Sequence, residues 1–250
     1  MSWSARKLAP GPVPLWFQIA DRLRVAIEQG RFVTGDRLPS EAELNRRFGV
    51  SRTTARAALD RLENEGRISR RSGKGSVVLP PRVDQPLNVL RSFGEDMRAR
   101  GFRPSYRTRS IQTVPAPPAA AEKLGIAADT PCLRIDRVLL ADAAPIATSL
   151  TWLSPRVLGG RRPPAASELN AGSLYAWLER ACDTRIVSGE EYIEAGTATP
   201  ALAGRLEIGP GDAVLIARRT SFGHDGKPVE HVLLHYRADR YRFHIELTRP

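Results

Sequence analysis

Residues 40–79 read SEAELNRRFGVSRTTARAALDRLENEGRISRRSGKGSVVL, and two short helices followed by a basic hairpin are written in them. Ser40 and Glu43 have the spacing of a capping box, in which the hydroxyl accepts from the amide three residues on and that residue's carboxylate reaches back. A helix is therefore expected to start near position 40. Phe48-Gly49-Val50 breaks the period, and Ser51 can cap a second helix running to about Glu65, with Gly66 at the left-handed position that closes it. Ala55, Ala58, Leu59 and Leu62 recur at three- and four-residue steps, which turns one face inward and leaves Arg52, Thr53 and Arg56 on another. Ile68 and Val77 flank Ser72-Gly73-Lys74-Gly75, a short hairpin with a glycine turn.

Two capped helices joined by a tight turn, then a basic hairpin, make the pattern of a winged helix-turn-helix. The first turn of a recognition helix enters the major groove, where arginine can bond guanine O6 and N7 and a threonine methyl can meet thymine. Gly73 lets the hairpin backbone approach a phosphate, and Arg71 and Lys74 bring cations beside it. The competing reading is that these arginines only solvate a helical face. Against it, nine Lys or Arg lie between Arg46 and Gly75 but only three acids, Asp60, Glu63 and Glu65, a charge density suited to nucleic acid.

A chain of 250 residues holds one large or two ordinary domains, and two is the expectation. The net charge of +11 is uneven: residues 1–81 carry 15 basic and 8 acidic side chains, residues 82–250 carry 23 and 19. Positive charge is densest where phosphates would be met. Cys132 and Cys182 have no paired spacing, so neither a disulfide framework nor a zinc site is suggested. No apolar run approaches the roughly 20 residues that span a bilayer, and the start lacks a signal-peptide core; a cytoplasmic protein is expected.

Before the capped helix, Leu15, Ile19, Leu23, Val25, Ala26 and Ile27 form an apolar stripe closed by Gly30, a first helix. Pro80-Pro81 ends the hairpin, Arg82 to Pro86 reads as linker, and a helix is expected over about 87–100, closed by Gly101. Strand patterns follow at 105–114, 131–140, 145–153, 185–198, 213–222 and 228–237, with short helices near 117–124, 172–181 and 199–206. The fold class is α+β: a winged helix-turn-helix over 12–80, a linker and linker helix over 81–103, and an antiparallel sheet with flanking helices over 104–247. An internal repeat supports this organisation. Leu124-Gly125-Ile126, Leu133, Ile135 and Arg137 recur 82 residues on as Leu206-Glu207-Ile208, Leu215, Ala217 and Arg219; with one residue inserted, Pro145-Ile146 falls on Pro228-Val229. Two such units could pair around a pseudo-twofold axis with a cleft where they meet, or resemble each other by chance.

The segments PLWFQIADRLRVAIEQGRF, GDRLPSEAEL, FGVSRTTARAALDRLENEG and SGKGSVV resemble the N-terminal domain of the GntR family of bacterial transcription regulators. One common C-terminal domain there is entirely helical, unlike this strand-rich half. SFGEDMRARGFRPS at 92–105, LRIDRVLLADAAPI, GSLYAWLE at 172–179 and GKPVEHVLLHYRADRYRFHIE at 226–246 are instead similar to the HutC subfamily, whose UTRA-type effector domain has a chorismate-lyase-like fold. The resemblance implies a homodimer that binds a short palindromic operator on double-stranded DNA and responds to a small metabolite, often an anionic one. Carried over, the DNA contacts fall on Arg52, Thr53 and Arg56 and on Gly73, with Ser40 and Ser51 at caps beside the phosphates. The effector site falls on Ser92, Phe93, Arg137, Ser173, Tyr175, Glu230 and Tyr236. Arg137 can fork onto a carboxylate or phosphate, the hydroxyls can bond a ligand, and Glu230 can accept from it.

Two positions depart from the family pattern. Phosphosugar-binding relatives often carry a second arginine and a glutamate where this chain has Leu139 and Ser149, which argues against assuming an amino-sugar phosphate. Three assignments also have plain structural readings: Arg137 paired with Asp136 or Glu190, Tyr175 as helix packing, and Glu230 as a solvated strand residue. His231 and His235 would lie about 13 Å apart along a strand, so no metal is expected, and no cofactor. The function expected is an effector-responsive, sequence-specific DNA-binding repressor. The alternatives are a ligand-blind DNA binder or activator and, because the domain resembles a lyase, an enzyme; no nucleophile with its base stands out for the last.

Overall fold

The computed structural model describes residues 8–249 apart from Pro10 and residues 72–74, and of Arg71 only the backbone. The chain divides into two units, residues 1–82 and 83–250.

In the first unit α1 (Leu15–Glu28), α2 (Glu41–Phe48) and α3 (Arg52–Asn64) precede a hairpin of β1 (Ile68–Arg71) and β2 (Gly75–Val78). The local signals act as expected. The Ser40 hydroxyl accepts from the Glu43 amide at 3.3 Å, and the Ser40 amide donates to Glu43 Oε2 at 2.8 Å. Gly49 ends α2 in the left-handed conformation, and Gly66, with φ +67°, reverses the chain after α3. Ile19 and Leu23 of α1, Leu44 of α2, and Ala55, Ala58, Leu59 and Leu62 of α3 pack with Ile68 and Val78 of the hairpin in one core.

The second unit begins earlier than a linker would allow. Residues 83–86, read as linker from sequence, form β3 (Val83–Pro86), which pairs in parallel with β10 (Tyr241–His244); Val83 is wholly buried in the core of this unit. The helix expected over 87–100 is only α4 (Phe93–Ala99). Its start is fixed by a second capping box, Ser92 with Glu95, whose spacing is present in the sequence.

Six strands then make one antiparallel sheet in the order β4-β5-β6-β9-β8-β7: β4 (Pro104–Pro115), β5 (Pro131–Ala141), β6 (Ala144–Leu153), β7 (Ile186–Thr197), β8 (Ala213–Gly223) and β9 (Pro228–Arg237). Between them lie α5 (Pro118–Leu124), α6 (Pro155–Leu158), α7 (Ala166–Ala171), α8 (Leu174–Cys182) and α9 (Pro200–Leu206). The repeat is structural. β4, α5 and β5 recur 82 residues on as β7, α9 and β8 with the same bounds. The central pairing of β6 with β9 is symmetric about the Leu150–Leu233 pair. The two copies also exchange helices: α5 packs on β9 of the second copy and α9 on β6 of the first. α6 and α7 were not expected, and α7 is anchored by Asn170 Oδ1 accepting from the Thr108 amide at 2.8 Å. No described helix is long and apolar enough to cross a membrane.

Candidate nucleic-acid interface and ligand cavity

The first turns of α3 present Arg52, Thr53 and Arg56 to solvent, while Ala55, Ala58, Leu59 and Leu62 on the opposite face are at most 1 % exposed. Ser51 holds this start: its hydroxyl accepts from the Thr54 amide at 3.1 Å. Ser40 is likewise exposed, and its hydroxyl and amide hydrogen bonds hold the Glu43 carboxyl below its ordinary range. Gly73 and Lys74, and the side chain of Arg71, lie outside the described residues.

Not every cation counted in the sequence faces outward for a partner. Arg61 pairs with Glu65 at 2.6 Å and Arg67 with Glu28 at 2.8 Å. Arg70 is engaged three ways, through one guanidinium nitrogen to Asp60, another to Glu41, and its amide to Glu63 Oε1 at 2.8 Å. Arg67 and Arg70 tie the hairpin segment to the helices and Arg61 closes on its own helix, uses that charge density alone does not reveal.

In the second unit a cavity of about 560 Å³ lies over one face of the sheet, within the size range of small-molecule sites. All seven residues proposed from sequence line it: Ser92, Phe93, Arg137, Ser173, Tyr175, Glu230 and Tyr236. Leu139 and Ser149, the two departures, line it too.

Arg137 is the centre of the arrangement. It projects from β5, is 6 % exposed, and its Nε and Nη1 are buried without a hydrogen-bond partner. The Tyr106 ring lies under its guanidinium at 5.4 Å, a cation–π contact. Asp136, the partner proposed in the plain reading, is taken instead by Arg205. Burial depresses the Arg137 pKa, opposed by Tyr106 and Glu230, as expected for a cation held away from water.

Glu230, 2 % exposed, is not a solvated strand residue. Its Oε1 accepts from Tyr175 Oη at 2.8 Å and from Ser221 Oγ at 3.0 Å. Tyr175 is therefore more than helix packing; burial, then the Glu230 charge, push its phenol far above the usual range. Ser173 caps α8 by accepting from the Tyr175 amide at 3.1 Å. Ser92 caps α4, and Phe93 stands edge-on to Tyr106 at 5.9 Å. Tyr236 stacks on Tyr241 with centroids 4.1 Å apart.

Sequence reasoning missed Arg219 and Glu191, which also line the cavity. Arg219 Nε and Glu191 Oε1 stand 3.2 Å apart, an ion pair whose angle is not that of a hydrogen bond. Burial alone would lower the Arg219 pKa, but Tyr175 and Glu191 outweigh it and the guanidinium stays charged. The signal was available, because Arg219 is the repeat partner of Arg137. A shared axis places both on the face that forms the cavity.

Comparison with known proteins agrees with this layout. Residues 17–78 match the model of the bacterial regulatory proteins of the gntR family, and residues 99–242 that of the UTRA domain. An HTH-type transcriptional regulator of Mycobacterium tuberculosis (strain ATCC 25618 / H37Rv) is 36 % identical over 244 residues, 97 % of this chain and 89 % of that one. The HTH-type transcriptional repressor NagR of Bacillus subtilis (strain 168) is 35 % identical over 236 residues, 93 % and 94 % of the two chains. The crystal structure of PhnF from Mycobacterium smegmatis superposes with a TM-score of 0.65 at 25 % identity, covering 92 % of this chain and 99 % of that one. With both units matched and relatives of this identity spanning nearly its whole length, the chain belongs to the GntR family of bacterial regulatory proteins, in the HutC branch whose second domain is of the UTRA type.

Proposed function

We propose that this chain is a cytoplasmic, homodimeric transcriptional repressor that reads a palindromic operator through Arg52, Thr53 and Arg56 and answers to a small anionic metabolite bound at Arg137. The carrying observation is the buried Arg137 guanidinium, whose Nε and Nη1 have no hydrogen-bond partner in the protein and which lines the cavity. A buried cation without a carboxylate in contact is costly, and a bound anion offsets that cost. Two relatives are named as repressors, NagR of Bacillus subtilis and the mannosyl-D-glycerate transport/metabolism system repressor MngR of Escherichia coli, which supports the repressor reading.

The cavity is read as a binding site rather than a catalytic one. Glu230 already accepts from two hydroxyls, and among the described lining residues there is no histidine, cysteine or lysine to serve as a general base or nucleophile. The ligand acts by population shift: it favours a dimer whose two recognition helices no longer match half-sites one helical turn apart. Moving such an equilibrium decisively takes a few kcal/mol of differential binding.

The test is fluorescence anisotropy with the DNA upstream of the chain's own gene, across a salt series and against a scrambled duplex. Salt-sensitive, sequence-selective binding is expected, and equal affinity for both duplexes ends the reading.

A further inference from the structure

The first unit holds an arrangement that DNA contact does not require. Glu41, at the start of α2, faces two arginines at once. Its Oε1 pairs with Arg70 of the hairpin and lies 3.9 Å from Arg56 Nε of α3. Arg70 is already held by Asp60 and, through its amide, by Glu63. These five side chains, Glu41, Asp60, Glu63, Arg56 and Arg70, line one groove together with Arg37 and Glu43, four acids to three cations. The side chain of Arg56 is 67 % exposed, so its tie to Glu41 is loose and is the one that an approaching duplex can break. A carboxylate beside a surface that must approach phosphates opposes binding of any DNA, whatever its sequence. Such repulsive elements raise specificity when they penalise the wrong complex more than the right one.

We propose that Glu41 is a specificity-determining residue of the DNA reader. By restraining Arg56 it disfavours the swing of that guanidinium onto a phosphate, the contact available on every sequence, and spares the base-edge contact available only on the operator. This rests on the proposed reading of Arg56 as a groove-facing residue. Arg70 serves as the fixed post of the arrangement, bound at both ends of its guanidinium and therefore not itself a DNA contact.

The experiment uses the full chain and two duplexes of equal length, one selected by the wild type from a random library and one scrambled. Glu41→Gln keeps the shape and removes the charge. Affinity for the scrambled duplex is expected to rise and the operator-to-scrambled ratio to fall about fivefold, the factor that unit charges about 4 Å apart in water correspond to. The salt slope on scrambled DNA is expected to steepen by up to about 0.9, one added phosphate contact. The same substitution made on top of Arg56→Ala is expected to leave the ratio and slope unchanged, as a double-mutant cycle requires when one residue acts through the other. Asp60→Asn, which removes the other partner of Arg70, controls for loosening of the hairpin. Should Glu41→Gln lose its fold, Glu41→Asp, which withdraws the carboxylate from Arg56, takes its place in the same comparison.

An unchanged ratio, an effect that persists without Arg56, or an equal effect of Asp60→Asn overturns the proposal. Failure of the wild type to select any sequence instead removes the reading of α3 as a groove reader, so the two failures are distinct.

Discussion

Replacing Arg137 by methionine is expected to stabilise the unliganded protein while abolishing its response to anions. The side chain is 6 % exposed with two guanidinium nitrogens unpaired, and holding a charge in such a site costs several kcal/mol even after relaxation. Two contributions offset part of this: the Tyr106 ring at 5.4 Å, worth about 0.5–2 kcal/mol, and the field of Glu230. Methionine has similar reach and no charge. Its substitution leaves Glu230 without the opposing guanidinium, but the hydroxyls of Tyr175 and Ser221 continue to solvate that carboxylate. The balance is a gain on the order of 1–4 kcal/mol, the scale for replacing a buried ion pair by apolar groups of similar volume. For a unit of this size that amounts to roughly 2–16 °C in melting temperature. Calorimetry of the full chain reads the shift, and a parallel titration with inorganic phosphate reads the loss of anion stabilisation expected from mass action. A melting temperature that falls for Arg137→Met, with the fold retained, would show that the guanidinium is a satisfied structural cation and refute the argument that the cavity waits for an anion.

Three further outcomes follow from the geometry. Arg52→Ala or Arg56→Ala is expected to weaken operator binding by about 1–3 kcal/mol and relax base preference; equal losses on operator and scrambled duplexes in an anisotropy assay would contradict a base-reading role. Ser40→Ala removes the hydroxyl half of the capping box and leaves the amide's bond to Glu43, and is expected to cost about 1 kcal/mol in urea unfolding of the first unit, whereas a change within error would show the cap to be redundant. His231, buried, and His235, half-buried, lie on the far side of the central strands, and desolvation, with nearby Lys123, Arg205 and Arg218, holds their pKa values below the usual 6.5. The unfolded chain therefore binds more protons below that pH, so the stability they contribute is present above about pH 6.5 and lost as the pH falls through their folded values. Thermal melts from pH 7.5 to 5.5 are expected to fall, with a shallower fall in the His231→Gln, His235→Gln double variant; a flat wild-type profile sinks this assignment.

Much of the DNA-facing unit is legible in the sequence because its determinants are local. The Ser40–Glu43 box, the Ser51 cap and the glycines at 49 and 66 each act within four residues, and the Ala55–Leu62 stripe fixes which face of α3 is left for solvent. The six strands of the sheet were legible for a similar reason, since alternation and turn residues mark each one. The internal repeat went further: an offset of 82 residues, seen in a few apolar positions and the pair Arg137 and Arg219, offered the twofold layout that β4 to β9 adopt.

Neighbouring residues settle among themselves the helix starts and stops, the strand faces, and the exposure of Arg52, Thr53 and Arg56. The remainder depends on partners distant in the chain. Residues 83–86 become a strand only because Tyr241–His244, more than 150 positions later, supplies the hydrogen-bonding partner. Arg70, one of the nine cations counted between Arg46 and Gly75, becomes a tie because Glu41 and Asp60 reach it from two helices. Arg219 and Glu191 join the cavity because antiparallel pairing of the two copies carries their faces to the same side as Arg137. Pair energies across such distances depend on where the backbone places the partners, and no local pattern of charge or hydrophobicity encodes that placement.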